Sequence, residues 1–241
     1  MILEGVKAYL ESIPEDRPGN RITGSAIGKC DRQLAFKHHG IKGDGGTWKN
    51  WIVFNDGDMA HDQLRAIIEK AVPHTGWELV DKERRVSITT PGGYEVVGHV
   101  DGVLRNLDSD ERMLIEIKSM SSYAFEEGDI EDSYQAQMSG YMRALGLVEA
   151  LFLCKNKNTG DVSERIYRID NDLLDRRLQA VDKIIASKTP FQVERSYGAN
   201  NKGRLDWHCA YCPWWSKCWD GKAVQKVGPK GGKYLVLEGG A

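Results

Sequence analysis

The sequence predicts a mixed α/β domain, and three observations carry that expectation. Between residues 77 and 118 apolar side chains recur with a period of two, as half-buried strands require. On both sides of that region they recur at helical spacing instead. Composition agrees: 241 residues with 41% hydrophobic and 28% charged side chains suffice for one large core and fit neither global disorder nor a membrane protein.

Taken in order, residues 3–12 read as a short amphipathic helix, and the Pro/Gly-rich ESIPEDRPGNRITG that follows reads as a loop. SAIGKCDRQLAFKHHG is expected to be helical, capped by Ser25 and presenting Ile27, Leu34 and Phe36 on its apolar face; the glycine-rich IKGDGGT is a loop. Between Gly57 and Val72, Ala60, Leu64, Ile67, Ile68 and Ala71 keep helical spacing, with His61 at the border of the stripe and Pro73 as the expected stop. Residues 77–90 and 94–104 are expected strands, LDSDE a turn and RMLIEIKSM a third strand. A helix over about 133–146, strands in ALFLCKNK and VSERIYRID around the turn NTGD, and a helix over about 171–187 complete the pattern, with no internal repeat. Residues 1–220 form one expected domain; 221–241 read as a loosely attached Gly/Lys-rich tail in which YLVL has the composition of a short strand.

No apolar run approaches the roughly 18 residues a membrane helix needs. The opening MILEGVKAYLESIPEDR has acids where a signal peptide needs a basic start and an apolar stretch, so a cytoplasmic protein is expected. The net charge of −2 gives no global pull toward nucleic acid. Such a role needs local patches, for which Lys82, Arg84, Arg85 and Lys118 are candidates.

The most informative stretch is GHVDGVLRNLDSDERMLIEIKSMSS, residues 98–122, which sets Asp101, Glu116 and Lys118 inside apolar strand pattern. Buried charge is costly unless it is paired or bound to a metal. Glu116 and Lys118, two apart, share one strand face, while Ile115 and Ile117 face the other. If the LDSDE turn pairs the two strands, Asp101 comes beside Glu116, and two such carboxylates repel unless a hard cation such as Mg²⁺ or Mn²⁺ lies between them. A neighbouring lysine suits orientation of an attacking water or stabilisation of charge on a phosphate. Read alone, the stretch is equally an exposed hairpin with an i, i+2 ion pair.

GHVD followed by IEIK resembles the core of the PD-(D/E)XK nuclease superfamily, with Val100 in place of the name-giving proline. The rest of the chain resembles the RecB-like branch: Gly57-Asp58-Met59-Ala60-His61 matches its G-x-x-x-H element, and Gln137-Met138-Ser139-Gly140-Tyr141 its Q-x-x-x-Y element. The resemblance covers roughly residues 22–220. It implies a restriction-endonuclease-like core with a mixed central sheet flanked by helices. It also implies metal ligation by His61, Asp101, Glu116 and the carbonyl of Ile117, with Lys118 as catalytic lysine and Gln137 and Tyr141 contacting DNA or bracing the lysine. The implied activity is metal-dependent exonuclease cleavage of single-stranded DNA ends, with 5′ to 3′ polarity favoured, in recombination, DNA processing or CRISPR adaptation.

Five cysteines in a chain without an export signal argue against a disulfide framework. Cys209, Cys212 and Cys218 form a compact three-thiolate set, whereas Cys154, inside ALFLC, reads as a core thiol. SAIGKCDRQLAF resembles the first cysteine element of the iron-sulfur members of the RecB-like branch, which include the fourth Cas protein and the AddB nuclease domain. That resemblance supplies Cys30 as fourth ligand and implies a 4Fe-4S cluster closing the two ends of the domain, in a shell of Trp207, Tyr211, Pro213, Trp214, Trp215 and Trp219. By ligand type alone four thiolates suit structural Zn²⁺ equally. The implied partners are DNA and a recombination or CRISPR adaptation protein. The alternative is a non-catalytic or partner-dependent DNA-binding cluster protein.

Overall fold

The computed structural model describes residues 2–13, 20–44, 48–229 and 231–238. Parts of the expected loops at 14–19 and 45–47, and the last residues of the tail, lie outside them. Helix α1 spans Ile2–Ser12, α2 Asp31–His38 and α3 Trp48–Thr75. Strands β1 (Trp77–Val80), β2 (Arg85–Thr89), β3 (Glu95–His99), β4 (Gly102–Asn106) and β5 (Arg112–Met120) follow. Then come α4 (Ser122–Glu127), α5 (Asp132–Leu145), β6 (Glu149–Asn156), β7 (Val162–Arg168) and α6 (Asn171–Ala186). The chain closes with the one-turn helices α7 (Trp207–Ala210) and α8 (Trp215–Cys218) and the strands β8 (Ala223–Val227) and β9 (Lys233–Leu237).

The central sheet runs β1-β4-β5-β6-β7 and is mixed: β5 and β6 are parallel, and every other neighbouring pair is antiparallel. The parallel pair requires a crossover, supplied by α4 and α5. Strand β5 is buried on both faces, with period-two alternation deciding which layer each side chain enters. Ile115 and Ile117 pack with Leu64 of α3 and with Leu79, Leu104 and Leu153, whereas Leu114 packs with Met138 and Tyr141 of α5 and with Phe152. Glu116 and Lys118 therefore point into the α5 layer. Helices α2 and α6 pack against the separate β2–β3 hairpin around Leu34, Ile88, Val96, Leu174 and Val181.

Several elements differ from the sequence expectation, each for a local reason. Ser25 does not cap a helix: Gly24–Ala26 is a 3-10 turn, and α2 begins at Asp31 with Cys30 as N-cap. The break falls at Gly28, whose Cα faces the backbone of Ser133 so closely that a Cβ would overlap it. Pro73 does not end α3, which runs to Thr75; so near a C-terminus a proline forfeits a single ladder bond. The stretch 77–90 splits into β1 and β2, and 94–104 into β3 and β4, because the chain changes sheets at Val100 and Asp101. Gly102 makes that change possible, since a Cβ there would lie 2.5 Å from Leu79 Cδ1. Finally, the tail is not loose between 223 and 237: β8 and β9 pair, and Leu235 is buried with Leu205, Ala210 and Ala223.

Gly98 ties two sequence elements together. A Cβ on it would lie 2.5 Å from both Cε1 and the hydroxyl oxygen of Tyr141, and one on Gly24 would lie 2.5 Å from the same Cε1. Tyr141 fills the slot that these two glycines leave open. Gly98→Ala must displace a buried aromatic ring, so a loss of about 1–3 kcal/mol is expected in urea denaturation. Unchanged stability would show that the slot has slack.

Candidate functional site

The chain change at Asp101 and the β4–β5 hairpin together build the site. Their register pairs Gly102 with Ile115, which sets Asp101 beside Glu116. The Ile117 N–H donates to Asp101 Oδ2 at 2.7 Å, and His61 Nδ1 lies 3.0 Å from Asp101 Oδ1. Arg65, one turn beyond His61 on α3, brings Nη1 within 3.9 Å of Asp101 Oδ1 while also binding Asp62 and Glu83. Burial pushes the Asp101 carboxyl up. The hydrogen bond and charge of His61, the Lys118 ammonium and the Ile117 N–H outweigh it and hold Asp101 below its ordinary value.

Glu116 lies deeper, at 1% exposure. Its Oε1 accepts from the Lys118 ammonium and, at 2.7 Å, from Gln137 Nε2, while Oε2 is buried without any hydrogen-bond partner. Burial raises the Glu116 pKa, opposed by Lys118. For Lys118 burial acts downward, but Glu116 and Asp101 prevail and the ammonium is held above its ordinary value. It also sits 5.1 Å from the centre of the Tyr134 ring, a cation–π contact within the usual range.

The structure thus brings His61, Asp101, Glu116, Lys118 and Gln137 together, with Ile117 joining through its N–H. It places Gln137 on the glutamate rather than the lysine, and Tyr141, 2% exposed, in the core rather than at a DNA-facing surface. Gly57 of the G-x-x-x-H element has open space where its Cβ would be, so packing does not require glycine there. Arg65 and Tyr134 escaped the sequence reading, although helical spacing from His61 and Gln137 carries a signal for both. Lys82, Arg84 and Arg85 form no free basic patch, being paired with Glu69, Asp81 and Glu95.

Among the described residues no three His, Cys, Asp or Glu side chains stand arranged as a ready metal-ligand set. The donor chemistry nevertheless fits a hard divalent cation: two carboxylates lie on adjacent strands, a histidine is beside one, and the other has an orphaned buried oxygen. A cation would give that oxygen the partner it lacks.

Cys30, Cys209, Cys212 and Cys218 line one small cavity with Phe36, Tyr197, Trp215 and Trp219. Cys30 precedes α2, and tight backbone turns carry the other three, with Cys212 N–H donating to Cys209 O and Cys218 N–H to Trp214 O. Burial, reinforced by the neighbouring sulfurs, pushes Cys209 up to about 11 and Cys212 up to about 12. Arg195 Nε donates to Cys218 Sγ at 3.4 Å. Four cysteines lining one cavity have the donor chemistry of a thiophilic metal centre, although no three of them stand arranged as a ready ligand set. The expected six-residue apolar shell is only partly present. Trp215 and Trp219 line the cavity, Trp214 stacks on Phe36 and donates to Ile41 O, and Trp207 and Tyr211 are exposed. Cys154 is buried in the α5 layer, as a core thiol should be.

A scan against protein-family models gives no match, and a search of curated proteins gives none. Among solved structures the fold is similar to that of SSO0001, with a TM-score of 0.54 at 17% identity over 89% of this chain and 94% of that one. Lesser likenesses are to an alkaline exonuclease (LHK-Exo) from Laribacter hongkongensis, with a TM-score of 0.46 at 16% identity over 76% and 91% of the two chains. A phage related exonuclease from Haemophilus somnus 129PT follows at 0.41 and 16% over 68% and 93%. The first of these shows a shared mixed α/β fold with a central mixed sheet flanked by helices. Among the described residues no helix is long and apolar enough to cross a membrane.

Proposed function

We propose that this chain is a metal-dependent deoxyribonuclease of the PD-(D/E)XK type, in its RecB-like iron-sulfur branch, acting as an exonuclease on single-stranded DNA ends. The observation that carries the reading is the orphaned Oε2 of Glu116, buried beside Asp101 and on the same strand face as Lys118. Nothing in the folding of a sheet calls for that costly arrangement. A bound cation meets its cost and makes it useful.

His61, Asp101, Glu116 and the backbone carbonyl of Ile117 would hold Mg²⁺ or Mn²⁺, which supplies Lewis acidity and charge neutralisation at a phosphodiester. Lys118, whose ammonium is held on Glu116, would orient water and offset negative charge developing on a phosphodiester bound there. Gln137 fixes the carboxylate plane of Glu116, and Tyr134 keeps the Lys118 head group from swinging away. Cys30, Cys209, Cys212 and Cys218 would hold a 4Fe-4S cluster, or structural Zn²⁺, as a cross-link between the two ends of the domain. The 5′ to 3′ polarity and a place in recombination or CRISPR adaptation come from the sequence resemblance alone.

The test uses protein purified without oxygen and single-stranded DNA labelled at either end. Shortening from one end with Mn²⁺ or Mg²⁺, absent in EDTA, is expected and also gives the polarity. Intact DNA with every metal, for single strands and duplexes alike, would overturn the nuclease reading in favour of a binding role.

A further inference from the structure

Residues 202–238 hold seven lysines and arginines against three acids, a surplus of +4 in a chain whose net charge is −2. Lys217 pairs with Asp44, but Lys202, Lys222, Lys226 and Lys233 enter no ion pair among the described residues. The hairpin register sorts these groups. Leu235 turns inward to Leu205 and Ala210, whereas Lys226 stands opposite Tyr234, and Val236 pairs with Val224 and bridges to Arg204. Lys226, Tyr234 and Arg204 therefore share the outward face, with the Arg204 guanidinium 4.8 Å from the Tyr234 ring centre. Lys233, two residues before Leu235, falls on the Leu235 face by the same alternation but is exposed at the turn end of β9, where Gly228 N–H closes the ribbon on Gly232 O.

We propose that this hairpin is a strand-holding arm for single-stranded DNA, with phosphates on Lys226 and Lys233 and a base stacked on the Tyr234–Arg204 pair. The identity of the polyanion rests on the nuclease reading above. Unpaired cations along a ribbon beside a planar aromatic–guanidinium pair match a backbone of repeating phosphates with exposed bases, and stacking of that kind needs bases that are not paired. The arm is anchored to the catalytic layer. His208, beside Cys209, has Nδ1 2.6 Å from Asp206 Oδ1 and Nε2 3.2 Å from Glu131 Oε1, at the start of the helix that carries Gln137.

Fluorescence anisotropy with labelled (dT)20, in buffer without added divalent cation, reads binding with no cleavage. Lys226→Glu/Lys233→Glu is expected to weaken binding at least about fivefold and to reduce the log K against log salt slope by about 1.4, two single-strand phosphate contacts. Tyr234→Leu is expected to weaken binding about fivefold or more with the slope unchanged, since stacking releases no counterions. Thermal melts confirm that each variant is folded. Wild-type affinity and slope in the double-lysine variant would overturn the arm, and tighter binding of a 20-base-pair duplex would overturn its assignment to single strands. Either result leaves the nuclease reading to the digestion experiment, which this assay does not touch.

Discussion

Lys118→Met is expected to slow metal-dependent shortening of single-stranded DNA by about 10²–10⁴-fold, the range for a positioned proton-transfer or charge-stabilising group. Methionine keeps an unbranched apolar stem of similar length and removes the ammonium, with its cation–π contact to Tyr134. Loss of one partner of a buried pair costs about 3–5 kcal/mol when nothing replaces it. Here Gln137 still donates to Glu116, so the fold should survive at reduced stability. The variant also separates two roles for the lysine. With its counter-charge gone, Glu116 gains more from a divalent cation than it does in the wild type. Mg²⁺ or Mn²⁺ should therefore raise the melting temperature more in Lys118→Met than in the wild type. Full cleavage by a folded Lys118→Met protein would remove Lys118 from the catalytic set, and an unaltered metal shift would separate the cation from Glu116.

Cys212→Ala is expected to strip the cysteine centre of its iron and sulfide, or of its zinc, and to lower the melting temperature by more than about 5 °C. Among the described residues the C-terminal subdomain buries just Leu205, Ala210, Ala223 and Leu235, with Trp215, Trp219 and Leu237 partly buried against them, a small core that a staple would reinforce. Side-chain contacts also tie it to the rest of the domain, among them Trp214 to Ile41 and Phe36, Ser216 and Lys217 to Asp44, and His208 to Glu131. Limited proteolysis should then cut Cys212→Ala between residues 195 and 238 well before the nuclease core. Cys154→Ala is the contrast, because Cys154 lies in the α5 layer and its loss should leave metal content unchanged. Metal content and the visible spectrum also decide between iron-sulfur and zinc. A soluble, stable and fully active Cys212→Ala protein would contradict a structural metal centre.

Much of this was legible in the residues because it depends on short-range pattern. Period-two alternation in RMLIEIKSM puts Glu116 and Lys118 on one face whatever surrounds the strand, and helical spacing does the same for Gly57 with His61 and for Gln137 with Tyr141. The helices over 133–146 and 171–187 and the turns LDSDE and NTGD followed from the same local rules. Misread elements had causes outside their own windows. The strand change at Asp101 depends on Leu79 facing Gly102, and the break before α2 depends on Ser133 facing Gly28. The tail became a hairpin because Leu205 and Ala210, a dozen or more residues upstream of β8, offer Leu235 a core.

By itself the sequence determined the α/β layering, the pairing of a carboxylate with a lysine on one buried strand face, and three cysteines close enough to act as one set. Periodicity and spacing are properties of the chain alone. Only the tertiary structure decided that Gln137 serves Glu116, that Tyr141 fills a slot between two glycines, and that Cys30 meets the distant thiols. It alone showed that Lys226 and Lys233 lie on a C-terminal ribbon without an ion pair among the described residues, whereas Lys82, Arg84 and Arg85 are paired. Those outcomes depend on which neighbour each side chain meets once the layers close, and no local pattern encodes that.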